Sequence, residues 1–245
     1  MGVKGKRTSY IMLPELQNLL LSAIAIILSL FITAVIMLAS GYHPFEAVRA
    51  LLDGAFGSRN SMATTLGKTI PLVFVGLACA YSNRGGLFNI GCEGQLYIGG
   101  LAATVTALQM QGMPRALVLA AAFVTGMLAG GLAGGVTGFL KAKLNINEVL
   151  VAIMLNYILK FFASYCVHGP IQDPKSSVAQ TAAIGDKYML TKLVPKSQLT
   201  TAFLIGILLA VLLYLFFSKT RAGFNIRAVG ENGTAAQASG IGMIK

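Results

Sequence analysis

Long uncharged stretches dominate this chain and are separated by short polar joints. Residues 16–42 carry no charged side chain, and neither do 94–114, 116–140 and 197–218. Residues 149–167 are interrupted only by Lys160, and 69–83 form a shorter uncharged run. A helix that crosses a bilayer needs roughly 20 mostly apolar residues. The pattern predicts six spanning helices, at about 16–40, 69–83, 88–109, 116–140, 146–167 and 198–218. Linkers fall at about 41–68, 84–87, 110–115, 141–145 and 168–197, and the polar, glycine-rich stretch 219–245 ends the chain. The first run exceeds the roughly 7–15 apolar residues of a signal peptide, so it is expected to remain as a span. The expected fold class is an all-α polytopic membrane protein of one domain, 1–245. It divides into an N-terminal segment 1–15, a membrane region 16–218 and a polar tail 219–245.

Composition agrees with the pattern. The chain is 56% hydrophobic and only 11% charged, against roughly 25% charged in a soluble domain. Its mean hydropathy is +0.74. The net charge of +11 would suit nucleic acid, but the Lys and Arg are dispersed at the ends of apolar runs and form no basic stripe. Contact with anionic lipid and control of topology explain them better, and no nucleic-acid partner is expected. Lys4, Lys6 and Arg7 precede the first span and place the N-terminus in the cytoplasm. Lys141, Lys143, Lys219, Arg221 and Arg227 then lie inside too. Arg49, Arg59, Lys68, Arg115 and four lysines between Lys175 and Lys196 fall outside, so the charge bias is slight. Cys79, Cys92 and Cys166 make an odd set without a CxxC pair, and His43 and His168 stand in loops. No metal site or disulfide framework is expected. Absence of HExxH, of a Ser/His/Asp grouping and of clustered carboxylates argues against an enzyme, and no catalytic residue is assigned.

Three segments hold polar residues in unusual places. Asn83-Arg84-Gly85-Gly86-Leu87-Phe88-Asn89-Ile90-Gly91-Cys92-Glu93-Gly94-Gln95 lies between two apolar runs. It suits either the broken helix of a transport site or a hairpin turn with Glu93 near the interface. Asn145-Ile146-Asn147-Glu148 reads as a capping box, with Asn145 as cap and Glu148 reaching back. Asn156 follows on the same helix, either as glue between helices or as a cargo contact. Lys160 could pair with Glu93, but snorkelling to the outer interface is favoured. Gly126, Gly130, Gly134 and Gly138 recur every four residues and form a packing face. Gly67-Lys68-Thr69 lacks the glycine a phosphate loop needs, because Met62 stands there. ATP, if used, must be held by another chain.

The tail contains Lys219-Thr220-Arg221-Ala222-Gly223-Phe224-Asn225-Ile226-Arg227-Ala228-Val229-Gly230-Glu231-Asn232. Asn232 is a candidate N-cap for a short helix through Ser239, with Gly240 as its stop. Small residues there suit docking into a partner's groove; a plain linker is the alternative.

Phe88-Asn89-Ile90-Gly91-Cys92-Glu93-Gly94-Gln95, Asn147-Glu148-Val149 with Met154-Leu155-Asn156-Tyr157, and Gly223-Phe224-Asn225-Ile226-Arg227-Ala228-Val229-Gly230 with Asn232, Ala235-Ala236 and Gly240-Ile241 resemble the ABC-type permeases of the ribose and branched-chain amino acid import superfamily. The resemblance runs from about residue 60 to the end. It is closest to the nucleoside-uptake branch, whose binding proteins are basic-membrane-protein-like lipoproteins. It implies a second, homologous permease subunit, cytoplasmic ABC ATPase subunits that bind Mg-ATP, and an extracytoplasmic lipoprotein that delivers cargo. The permease itself would need no cofactor and would sit in the bacterial plasma membrane. The resemblance places Asn89, Glu93, Gln95 and Asn156 by the substrate path. It also implies a cytoplasmic coupling loop that carries Arg221, Gly223, Arg227, Gly230, Asn232, Ala235, Ala236 and Gly240. Two departures stand out. Family members continue with more spanning helices, so the chain is expected to be a truncated piece. Cys92 also replaces a small aliphatic residue. An ion-gradient transporter or channel, and a permease for a sugar or amino acid, are the alternatives.

Overall fold

The computed structural model describes residues 7–241, with side chains from Gln17 onward except Asn18. Lys4 and Lys6, on which the orientation argument leans, lie outside the described residues. The described residues are helical and joined by turns, with two isolated β-bridges, Gln172 with Thr181 and Lys192 with Thr200. Contacts divide the chain into two compact units, Met1–Met62 and Ala63–Lys245.

The first unit holds α1 (Arg7–Ala39) and α2 (Pro44–Phe56). The apolar window of α1, Leu19–Ala39, has no buried residue. Such a surface is stable only in lipid or under another chain. The linker expected at 41–68 instead contains α2 and the start of the next helix. Pro44 opens α2, where its missing N–H costs nothing, and Arg49 pairs with Asp53 one turn on at 3.7 Å.

The second unit contains most of α3 (Arg59–Arg84), then α4 (Cys92–Gln109), α5 (Arg115–Leu144), α6 (Glu148–His168) and α7 (Ala202–Lys219). Two short helices, α8 (Arg221–Glu231) and α9 (Gly233–Ala238), end it. Five helices are long and apolar enough to cross a membrane: the 19–39 part of α1, α3, α5, α6 and α7. The sixth expected span is α4. It has 18 residues but opens with Cys92-Glu93-Gly94-Gln95, which lowers its apolar character. The run expected at 69–83 proves to be the second half of the 26-residue α3, with Pro71 inside it. Proline has no N–H to donate to the carbonyl four positions earlier, here that of Gly67. At that level the backbone of Gln198 and Leu199 comes so close that a Cβ on Gly67 would lie 2.5 Å from Gln198 C.

The tightest helix pair is α4 against α5, and glycine sets its spacing. A Cβ on Gly126 would stand 3.1 Å from the Gly99 carbonyl oxygen, and one on Gly99 3.0 Å from that of Gly126. A Cβ on Gly130 would stand 3.3 Å from the Gln95 carbonyl oxygen, and one on Gly134 3.1 Å from the Gln95 side-chain amide. Gly138, the fourth member of the expected stripe, has open space before it. The partner Gly99 on α4 was not singled out in the sequence. Thr106 and Thr125 join the same two helices through their hydroxyls at 2.9 Å. Beyond them Ala107, Val118 and Tyr188 form a buried cluster. Tyr188 comes from the 169–201 connection, which closes this end of the bundle. Its hydroxyl accepts from the Gly112 N–H. The Lys187 ammonium, and then that N–H, hold the phenol below its usual pKa.

Because α4 and α5 touch backbone to backbone, a large side chain at Gly126 should separate them. Gly126→Leu is expected to cost about 1–3 kcal/mol and to lower the thermal midpoint in detergent. Gly100→Ala, on the open face of α4, should leave the midpoint unchanged or slightly raised.

Candidate functional site

Between α3 and α4 the chain leaves helical geometry from about Gly85 to Gly91. Exposed carbonyls and amides in a lipid-embedded bundle are costly unless protein satisfies them. Two side-chain amides do this. Asn89 Oδ1 accepts from the Gly91 N–H at 2.9 Å and closes a local turn. Asn156, on α6, accepts from the Gly94 N–H at 2.8 Å and donates from Nδ2 to the Ile90 carbonyl at 3.0 Å. Gly94 must lack a Cβ, since one would lie 2.8 Å from Asn156 Oδ1. Asn156 is thus a clasp between α6 and the first turn of α4.

Asn89 and Gln95 face each other as a loose amide pair. Gln95 Nε2 donates to Asn89 Oδ1 at 3.3 Å, and Asn89 Nδ2 to Gln95 Oε1 at 3.5 Å. Both bonds are long for N–H···O contacts. Gly134 gives the Gln95 amide its room. The pair lines a cavity of about 470 Å³ between α3, α4 and α5. Phe74, Phe88, Ser82, Thr137 and Glu148 also reach it. Glu148 is the one ionisable acid or base among the lining residues besides the Cys92 thiol. It pairs with Lys141 at 2.8 Å across the α5–α6 turn. The Cys92 and Cys79 sulfurs lie 3.2 Å apart beneath the motif, and both thiols are free.

The four residues expected along one path therefore divide. Asn89 and Gln95 face the large cavity. Glu93 and Asn156 line a separate pocket of about 250 Å³ with Tyr157 and Lys160. Lys160 does not snorkel alone. Its ammonium lies 3.8 Å from Glu93 Oε1, with both side chains about half exposed, because α6 packs beside α4 and brings opposite charges together. The capping box also differs. Asn147, not Asn145, caps α6, accepting from Val149 N and Leu150 N. Asn145 stands in the left-handed region at φ 51° and ends α5. That local cap signal hid the placement of Glu148 on the cavity wall.

The tail folds into a helix–turn–helix. Thr220 caps α8 by accepting from Gly223 N at 3.0 Å. Gly223 lies against the backbone of Phe216 and Phe217, which permits the sharp corner after α7. Gly230 lies against the backbone of Arg84, Gly85 and Gly86. Arg227 borders a small cavity there with Asn83, Arg84 and Glu231. Asn232 caps α9 through Ala235 N at 3.0 Å, and Gly240, at φ +82°, ends it. Ala236 is buried; Arg221, Phe224 and Ala235 are exposed.

If Asn156 is the clasp, Asn156→Leu strands the Gly94 N–H and the Ile90 carbonyl. The expected loss is about 1–3 kcal/mol per stranded group, read as a lower thermal midpoint with faster amide exchange at 90–95. Glu93→Gln, at a half-exposed pair, should shift the midpoint far less.

Residues 61–245 match the family described as "Branched-chain amino acid transport system / permease component". The chain is 36% identical to the guanosine ABC transporter permease protein NupP of Bacillus subtilis (strain 168), over 96% of this chain and 68% of that one. It is 34% identical to the nucleoside ABC transporter permease protein NupB of Lactococcus lactis subsp. cremoris, over 92% of this chain and 64% of the relative. The glucose ABC transporter permease protein TsgB13 of Haloferax volcanii is 29% identical, over 89% of this chain and 60% of its own length. The chain thus spans about two thirds of the length of the curated relatives it matches. No solved structure matches it significantly. Five membrane-competent helices among the described residues, an irregular polar segment between α3 and α4 and a match covering 61–245 lead to one assignment: this chain belongs to the permease-component family of branched-chain amino acid transport systems.

Proposed function

We propose that this chain forms part of the membrane pathway of an ATP-driven importer, and that its cargo is a nucleoside. The observation that carries the cargo class is the amide pair on the cavity wall. Asn89 and Gln95 each offer one acceptor and an NH₂ donor group, the same chemistry as the edge of a nucleobase. Their mutual bonds, at 3.3 and 3.5 Å, are weak enough to be exchanged for bonds to cargo. Phe74 and Phe88 add aromatic faces to the same cavity. The guanosine and nucleoside permeases among the relatives support this choice. The glucose permease keeps sugar cargo as the second reading.

Two permease subunits would enclose the path, with an extracytoplasmic lipoprotein supplying cargo on one side and ABC ATPases binding Mg-ATP on the other. The bundle end that carries Lys141, Lys143, Lys219 and Arg221 would face the cytoplasm and the ATPases. There α8 and α9 present Arg221, Phe224 and Ala235 outward. ATP binding favours one arrangement of the ATPases, and differential contact with the two permease states converts that preference into alternating access.

The test is uptake by the complex assembled with its ATPase and binding protein in proteoliposomes. Guanosine uptake should require ATP hydrolysis and persist with an ionophore. Asn89→Ala and Gln95→Ala should each raise KM about 3–10-fold, as the loss of about one neutral hydrogen bond requires. Uptake abolished by the ionophore and indifferent to ATP would assign an ion-gradient transporter. Wild-type KM for both variants would remove the amide pair from the cargo site.

A further inference from the structure

We infer that Gly230 and the Gly85-Gly86 turn form a single rigid lever that carries motion of α8 to the amide pair. The inference rests on the coupling role proposed above for the C-terminal segment. The contact is made of backbone. A Cβ on Gly230 would lie 2.8 Å from both Gly85 C and Gly86 N and would collide with the Arg84 carbonyl oxygen. Reciprocally, a Cβ on Gly86 would lie 3.0 Å from Gly230 Cα and 3.1 Å from Gly230 O. Gly86 stands at φ +76°, a conformation that glycine adopts freely and other residues do not. Close beside this contact, a Cβ on Gly85 would meet Ile226 Cγ2 at 3.4 Å. A side chain between two elements can absorb a displacement by changing rotamer. Two peptide planes in contact cannot, because packed backbone is nearly incompressible.

Position turns this contact into a transmission. The turn is tied to the end of α3 by Gly86 N–H to the Asn83 carbonyl at 3.0 Å and Leu87 N–H to the Ser82 carbonyl at 3.1 Å. Leu87, Phe88 and Asn89 follow directly and line the large cavity. Only a few residues further, Asn156 clasps the Ile90 carbonyl and the Gly94 N–H to α6. The segment that carries Asn89 is therefore strung between two anchors, α8 at Gly86 and α6 at Ile90 and Gly94. A shift of α8 relative to α6 must be taken up inside 87–91. The loose Asn89–Gln95 pair and the Cys79 and Cys92 thiol contacts to the Asn89 carbonyl are the weak contacts there. Gly85, Gly86 and Gly230 are positioning residues on this account: they touch no cargo, and they set where Asn89 stands when the ATPase side moves.

The test has two arms in the assembled transporter. In a background where Cys79, Cys92 and Cys166 are replaced by alanine and uptake is retained, Gly85→Cys with Ile226→Cys should form a disulfide. The cross-linked complex should keep at least half of the uptake rate of the reduced one, since the joined parts already move together. Loss of uptake that a reductant restores would show that α8 slides over the turn and would overturn the lever. In the second arm, Gly230→Ala drives a Cβ into the turn. Uptake Vmax should fall at least tenfold, with KM within twofold and the ATPase co-purifying in normal amount. Wild-type Vmax overturns the lever, as does loss of ATPase co-purification at normal permease abundance, which would make Gly230 a docking residue. If the Gly230→Ala permease itself fails to accumulate, the disulfide arm decides alone. Wild-type uptake that needs no ATP hydrolysis defeats the coupling reading instead, and is distinct from each of these results.

Discussion

A peptide backbone that leaves its helix inside a membrane-spanning bundle must find hydrogen bonds without water. This constraint organises the join between α3 and α4. Between α3 and α4 the chain breaks, and its free groups are met by Asn89 from within and by Asn156 from α6. Asn156 reaches Gly94 only because that residue has no Cβ. Gln95 in turn fits against α5 only because Gly130 and Gly134 leave it space. Remove these small residues and the polar segment has nowhere to fold. Remove the amides and the bundle holds stranded backbone, at a cost comparable to a sizeable fraction of a domain's net stability.

The same constraint gives the site its chemistry. Amides that satisfy backbone are already desolvated and oriented, so turning one edge towards a cavity adds little further ordering. Asn89 has this character: its oxygen is held by the Gly91 N–H, and its amide is only loosely bonded to Gln95. The charged groups are kept apart from it or neutralised. Lys141 covers Glu148, and Glu93 finds Lys160 on the far side of α4. What remains at the wall is mainly neutral donors and acceptors among aromatic and aliphatic faces. That suits a neutral, hydrogen-bonding, flat cargo better than an ion.

Much of this was legible in the sequence where the signal was local. Uncharged runs marked the spans, four-residue spacing marked Gly126, Gly130 and Gly134, and Asn232 with Gly240 marked the ends of α9. Signals that depend on a distant partner were not legible. Gly99 matters only because Gly126 faces it, and Lys160 pairs with Glu93 only once α6 lies beside α4. Asn145 and Asn147 offered equivalent capping chemistry, and the left-handed end of α5 decided between them. Helix α2 reads as linker in the sequence because its charges at Glu46, Arg49 and Asp53 break the apolar pattern. The cavity role of Glu148 was masked by its fitness as a capping residue.

On this reading the irregular segment 85–91 and the first turn of α4 present the Asn89 and Gln95 amides to cargo. Photoaffinity labelling of the assembled transporter with an azido-nucleoside, mapped by mass spectrometry, reports which residues lie against bound cargo. Label should concentrate in the peptide containing Phe88 to Leu96 and be displaced by unlabelled guanosine. Displaceable label confined to the α6 peptide containing Tyr157 and Lys160, or labelling that guanosine does not displace, would contradict it.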